Sequence, residues 1–173
     1  MKLISTLTAS VLALASLDSR GQATGPTDPQ IAAIVVTANQ VDIEAGNLAR
    51  SESRNKDVKA FASQMVTDHS GVNESARALV TRLNVTPEDN ATSAGLKSGG
   101  DANLQHLKTL RGAAFDRAYI DNEVTYHQKV LDALDHTLIP SAQNAELKAL
   151  LVKVRPAFEA HLAHAKQIQS SMR

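Results

Sequence analysis

Three histidines and one aspartate stand where the surrounding pattern asks for an apolar side chain. The ladders Ala62-His69-Ala76-Leu83, Ile120-His127-Leu134 and Val154-His161-Ile168 each carry an imidazole in the middle, and Val35-Asp42-Ala49 carries a carboxylate. Seven residues is about two helical turns, so each polar group points where its apolar neighbours point, into a core. A buried polar group without a partner costs about 1–3 kcal/mol. The four must therefore be satisfied by one another, by water or by an ion. Three imidazoles and a carboxylate make a nitrogen and oxygen shell that suits one divalent transition metal: zinc, copper or iron.

Other polar residues share these faces. Tyr119 and Glu123 precede His127 by eight and four residues, and Glu44, two residues from Asp42, is the alternative acid. Asp116 falls in the expected first turn of its helix, where a carboxylate opposes the helix dipole. Asp68 and His164 are expected on the solvent side, and His106 and His136 fall near loops. A di-iron oxidase would need carboxylates on all four helices and Glu-x-x-His on two of them. The residues three before the histidines are Val66, Val124 and Phe158, so that signature is absent. Ferroxidase and iron-storage chemistry are not expected, and no catalytic residue is assigned.

The elements that must hold these groups are helical. Apolar residues recur at three- and four-residue steps over about 28–53, 56–83, 113–138 and 143–171, and no stretch alternates with period two. The polar cluster Ser51-Glu52-Ser53-Arg54-Asn55 makes a short turn, which implies an antiparallel hairpin. Residues 84–100, with Pro87 and three glycines, are expected as a long polar connection, followed by a short helix over LQHLKTL closed by Gly112. Pro140-Ser141 supplies the next turn. Pro156 lacks a backbone donor and crowds the carbonyl of Val152, which predicts a kink or a break in the last helix. Asp42, His69, His127 and His161 each lie within about one turn of their own helix midpoint, so four equal helices bring them to one level. The fold class expected is all-α: an antiparallel ferritin-like four-helix bundle with a long connection between its second and third helices.

The 173 residues suffice for one domain with a real core. Basic and acidic side chains both number 18, which leaves no field to attract nucleic acid or an anionic membrane. The absence of cysteine excludes disulfides, thiolate metal sites and a cysteine nucleophile. Lys2, the apolar run Leu3 to Leu17 and the stretch ending Gly21-Gln22-Ala23 read as a signal peptide over 1–23, cleaved after Ala23, with Ala13-Leu14-Ala15 as a competing site. The run is too short for a membrane span. The bundle domain is then residues 24–173, with a periplasmic or secreted location.

The segments EAGNLARSESRNKDVKAFASQMVTDHS, LRGAAFDRAYIDNEVTYHQKVLDAL and PAFEAHLAHAK resemble a known bacterial family, over about residues 28–170. It is the domain-of-unknown-function 4142 family of exported, ferritin-like four-helix proteins, often labelled outer membrane proteins. The resemblance implies matches at Asp68, His69, Phe115, Asp116, Tyr119, His127 and His161, and at Asp42, where the family usually has Glu. It supports the fold and the export signal and supplies no activity.

Two functions compete. One is an exported metal-binding bundle for metal handling or stress. The other is a structural or interaction protein of the cell envelope, its histidines forming a core hydrogen-bond network. Hydrolysis at a zinc-bound water ranks last, because the sequence has no nucleophile motif and no Gly-rich phosphate loop. Nothing in the chain identifies a protein partner.

Overall fold

The computed structural model describes residues 25–172, and every regular element among them is helical. The expected signal peptide and its cleavage site lie outside the described residues. Helix α1 (Asp28–Glu52) starts at a capping box in which Thr27 and Gln30 satisfy each other's backbone donors, with a proline in the first turn. Helix α2 (Lys56–Arg82) follows after three residues, its first free amides taken by the Asn55 side chain. The hairpin expected from Ser51–Asn55 is therefore present.

The segment expected as a long polar connection is instead largely helical. Helix α3 (Ala91–Lys108) begins at a second capping box, between Asn90 and Ser93, and runs through all three glycines. It packs on α1, with Gly100 seated against Val41 at a point where a β-carbon would meet the valine methyl at 2.7 Å. Gly100 serves close approach here, and its presence is no sign of a loop. Gly112, at φ 58°, makes the left-handed turn into α4 (Gly112–Ala133).

Beyond Ala133 the helix widens into a π turn, Leu134–Leu138, and then recovers over Ile139–Ser141. The expected turn at Pro140-Ser141 thus lies two residues early. A widened turn relieves the clash of a proline ring with the carbonyl four residues back. Helix α5 (Ala145–Ser171) runs unbroken through Pro156, so the last helix is not two pieces. Val152 and Pro156 both face solvent, where water can take the freed carbonyl. The buried stripe of α5 follows Leu147, Leu151, Phe158, Leu162 and Ile168.

Contacts at the helix ends fix the topology. The Glu88 amide donates to the Pro29 carbonyl at 3.0 Å, placing the end of α2 and the start of α3 beside the start of α1. Arg111 lies 4.0 Å from Glu52, so α3 carries the chain to the opposite end. Asp28 accepts from the amides of Gln143 and Asn144 at 2.9 and 2.8 Å, returning the start of α5 to the start of α1. Helices α1 and α5 thus run one way, α2 and α4 the other, and every packed pair among the four is antiparallel.

The interior falls into two apolar clusters. One gathers Ile31, Ile34, Leu79, Leu134, Leu147 and Leu151 at the end where α1 begins. The other gathers Ala49, Phe61, Met65, Phe115, Tyr119 and Ile168 at the far end. Between them lies a belt of buried polar groups: Asn39, Asp42, His69, Asn73, Glu123, His127 and His161.

The seat of α3 on α1 is tested by two glycines. Gly71 lies exposed on α2 with open space around it, so Gly71→Ala should stabilise the protein by about 0.5–1 kcal/mol through helix propensity alone. Gly100→Ala should lower stability, because overpacking of about 1–3 kcal/mol outweighs the same gain. Urea denaturation of both variants measures this; equal stabilisation would mean that α3 does not sit on Val41.

Candidate metal centre

Each imidazole of the belt arrives at the middle of its helix because apolar residues one heptad away on either side are held in the two clusters. His127 packs edge-on to both His69 and His161, which are tilted to each other at 45°, and the three centroids are separated by 5.4 to 5.6 Å. Phe158 stacks on His69 at 5.1 Å and 17°, and it occupies the position that would hold Glu in a Glu-x-x-His motif.

The outer nitrogen of every ring has an acceptor. Asn39 donates its amide to the Val35 carbonyl at 2.8 Å, which turns its oxygen to His69, and His69 Nδ1–H donates to that oxygen at 2.7 Å. His127 Nδ1–H donates to the Glu123 carbonyl at 3.0 Å. His161 Nε2–H donates to the Asp68 carboxylate at 2.9 Å. A neutral imidazole has one proton, so each remaining nitrogen is a bare lone pair. Those three, His69 Nε2, His127 Nε2 and His161 Nδ1, are buried and without a hydrogen-bond partner. One ring nitrogen from each histidine lies within 4.8 Å of the other two.

The acids complete the belt. Asp42 Oδ2 lies 3.3 Å from His69 Nε2 and 3.6 Å from His127 Nε2, beyond good hydrogen-bond length, and both Asp42 oxygens are unpartnered. Asp42, Glu123 and His127 form a second set of donors within 4.8 Å of one another. Burial pushes the Asp42 carboxyl up to about 8. Glu123 is held well above the usual carboxylate range by burial and then by Asp42. Burial moves the imidazoles the other way, His127 down to about 4, with His161 adding repulsion. His69 falls well below its ordinary value through burial and then its two neighbours, and His161 falls through burial, partly offset by Asp68.

The structure brings Asp42, His69, His127, His161 and Glu123 together. It does not bring Glu44, which is exposed and accepts from Gln40 at 2.8 Å. Two residues along a helix is about 200°, which carries the Glu44 side chain away from that of Asp42. Asp116 is no first-turn residue: α4 begins at Gly112, and Asp116 is buried with one oxygen unpartnered. Its spacing of seven from Glu123 carried that signal. Tyr119 is fully buried in the far apolar cluster, its hydroxyl unpartnered. Asp68 is only half-exposed and holds His161, so its solvent-side placement is corrected. His164 is likewise half-buried, edge-on to Phe61 at 5.3 Å. Sequence reasoning missed Asn39, although its position three before Asp42 puts it on the same face.

Comparison with known proteins agrees with this architecture. Residues 14–168 match the family described as Domain of unknown function (DUF4142). Among solved structures the fold is similar to "CopM in the Cu(II)-bound form", with TM-score 0.68 and 15% identity over 86% of this chain and 99% of that one. No functionally curated protein matches the chain.

The metal-free protein and its unfolded chain hold protons differently, which makes stability depend on pH. The lowered imidazoles contribute fully above 6.5 and lose that contribution as pH falls toward about 4, the His127 value. Asp42 acts in the opposite sense: its contribution is full below 3.8 and is lost as pH rises to about 8. Above 6.5 the carboxyls alone act, so the melting temperature in chelator should fall between pH 6.5 and 8, and Asp42→Asn should flatten that fall. A melting temperature that climbs across this interval would mean that Asp42 is ionised in the folded state.

Proposed function

The chain belongs to the DUF4142 family, and we propose that it is an exported metal-handling bundle that holds one divalent late transition ion, copper or zinc, between its helices. The observation that carries this reading is the set of three unpartnered imidazole lone pairs converging inside the bundle. Every imidazole proton points outward, and the inward side offers three lone pairs, to which the protonated Asp42 carboxyl can donate only once. A cation satisfies all of them.

The donor chemistry fits. A tetrahedral shell with ligands at about 2.0–2.1 Å places its donors about 3.4 Å apart, so a contraction of under about 1 Å per ring would close the three imidazoles around an ion. Asp42 is the fourth donor. Glu123 stands beside it, and the two carboxylates together balance the charge of a divalent ion. Asn39, the Glu123 carbonyl and Asp68 orient the rings, as outer acceptors do for metal-binding histidines. The likeness to a Cu(II)-bound protein of the same fold makes copper the first ion to test.

Export rests on the reading of residues 1–23 as a cleaved signal; no helix among the described residues is long and apolar enough to cross a membrane. Mass spectrometry of protein recovered outside the cytoplasm should find a chain beginning at Thr24, and a full-length cytosolic chain would oppose it.

Binding to the native state alone stabilises by about 2.7 kcal/mol at an ion concentration of 100 times Kd. The melting temperature of metal-stripped protein should therefore rise by several degrees with copper or zinc, and His69→Ala and His161→Ala should each abolish the rise. Asp68→Asn, which leaves the donors in place, should weaken affinity about 10–100-fold. Unchanged melting across copper, zinc and iron would leave only the hydrogen-bond reading, and a full response in His69→Ala would put the ion elsewhere.

A further inference from the structure

A cavity of about 350 Å³ opens beside the polar belt, between α1, α3, α4 and α5. Its walls are Ile34, Leu96, Val130, Leu134 and Leu151, and its inner end is closed by Asn39 and the His69 ring backed by Phe158. The π turn contributes Leu134, Thr137 and Leu138, so the cavity follows the one place where α4 departs from regular geometry. Such departures recur at functional sites. Where the cavity meets solvent stand Thr92, Thr137 and Lys129, all exposed. Lys129 is the one charged side chain among the described lining residues, and it forms no ion pair with any described carboxylate.

We propose that this cavity binds a single-chain anionic amphiphile, a free medium-chain carboxylate whose head group meets Lys129 and whose tail lies along the apolar walls toward His69. Size and charge select this class. At about 350 Å³ the space lies at the small end of ligand pockets, which run from about 300 to 1,000 Å³, and suits a single medium-length alkyl tail. That is one short chain, and the two long chains of a membrane lipid do not fit. An almost wholly apolar lining with a few polar groups at its ends is the pattern of small-molecule sites of this size. Its single cation, without a carboxylate partner, favours an acid over an amine or a neutral chain. Of the proposed donors the site touches only His69, with Asn39 beside it, and it does not depend on metal.

Isothermal titration of the full chain in chelator, with decanoate and with decanol as probes, tests the proposal. Decanoate should bind saturably at one site. Ala133→Phe, which fills the cavity from α4, and Val154→Phe, which fills it from α5, should each abolish binding; circular dichroism and melting curves show which of them keeps the fold. Lys129→Glu should weaken decanoate about tenfold and leave decanol unchanged. Absence of saturable decanoate binding overturns the proposal, as does binding indifferent to a folded filling variant. Equal insensitivity of both probes to Lys129→Glu overturns the anionic class.

Discussion

The arrangement depends on one constraint: a neutral imidazole has a single proton, and in this protein each of three buried rings gives it to an acceptor on the outside of the group. The acceptors come from an amide on the neighbouring helix, a backbone carbonyl one turn back and a half-exposed carboxylate. None of them can donate in that geometry, so the tautomers are settled and the inner nitrogens are left as lone pairs. The chemistry of the interior follows from hydrogen bonds made at its periphery.

Holding such a set without an ion is costly, and the architecture shows how the cost is carried. Apolar clusters lie on both sides of the belt, and each helix contributes to both. The heptad neighbours of Asp42 and of the three histidines are therefore clamped, and these groups cannot turn toward water without unpacking two cores. The same clamping keeps the acids in a low-dielectric space where they resist ionisation until a positive charge joins them.

Much of this was legible in the sequence, because burial writes itself into periodicity. A histidine flanked at seven residues by Ala, Val, Ile or Leu has one direction to point, and all three are buried. The same rule places Asn39, with Ala32 and Gly46 at seven residues, inside as well, whereas Asp116, flanked by Thr109 and Glu123, escapes it. What periodicity does not encode is the edge of a face. Asp68, one residue before His69, lies about 100° around its helix, and whether it meets solvent or a neighbour depends on where α5 packs. The α3 segment was illegible for a different reason. Its glycines lower helix propensity, and only the contact of Gly100 with Val41 reveals that one of them is there for packing.

The pairing of helices has a consequence for how the centre comes into being. The hairpin of α1 and α2 contributes Asp42 and His69, whereas α4 and α5 contribute His127 and His161. Neither half has a majority of the donors, and the chain between them must first traverse the bundle as α3. The site thus requires the docking of two halves distant in sequence, and contacts of such long range are the slow ones to form. An ion held there would act chiefly as a brake on the separation of the halves, slowing unfolding far more than it hastens folding.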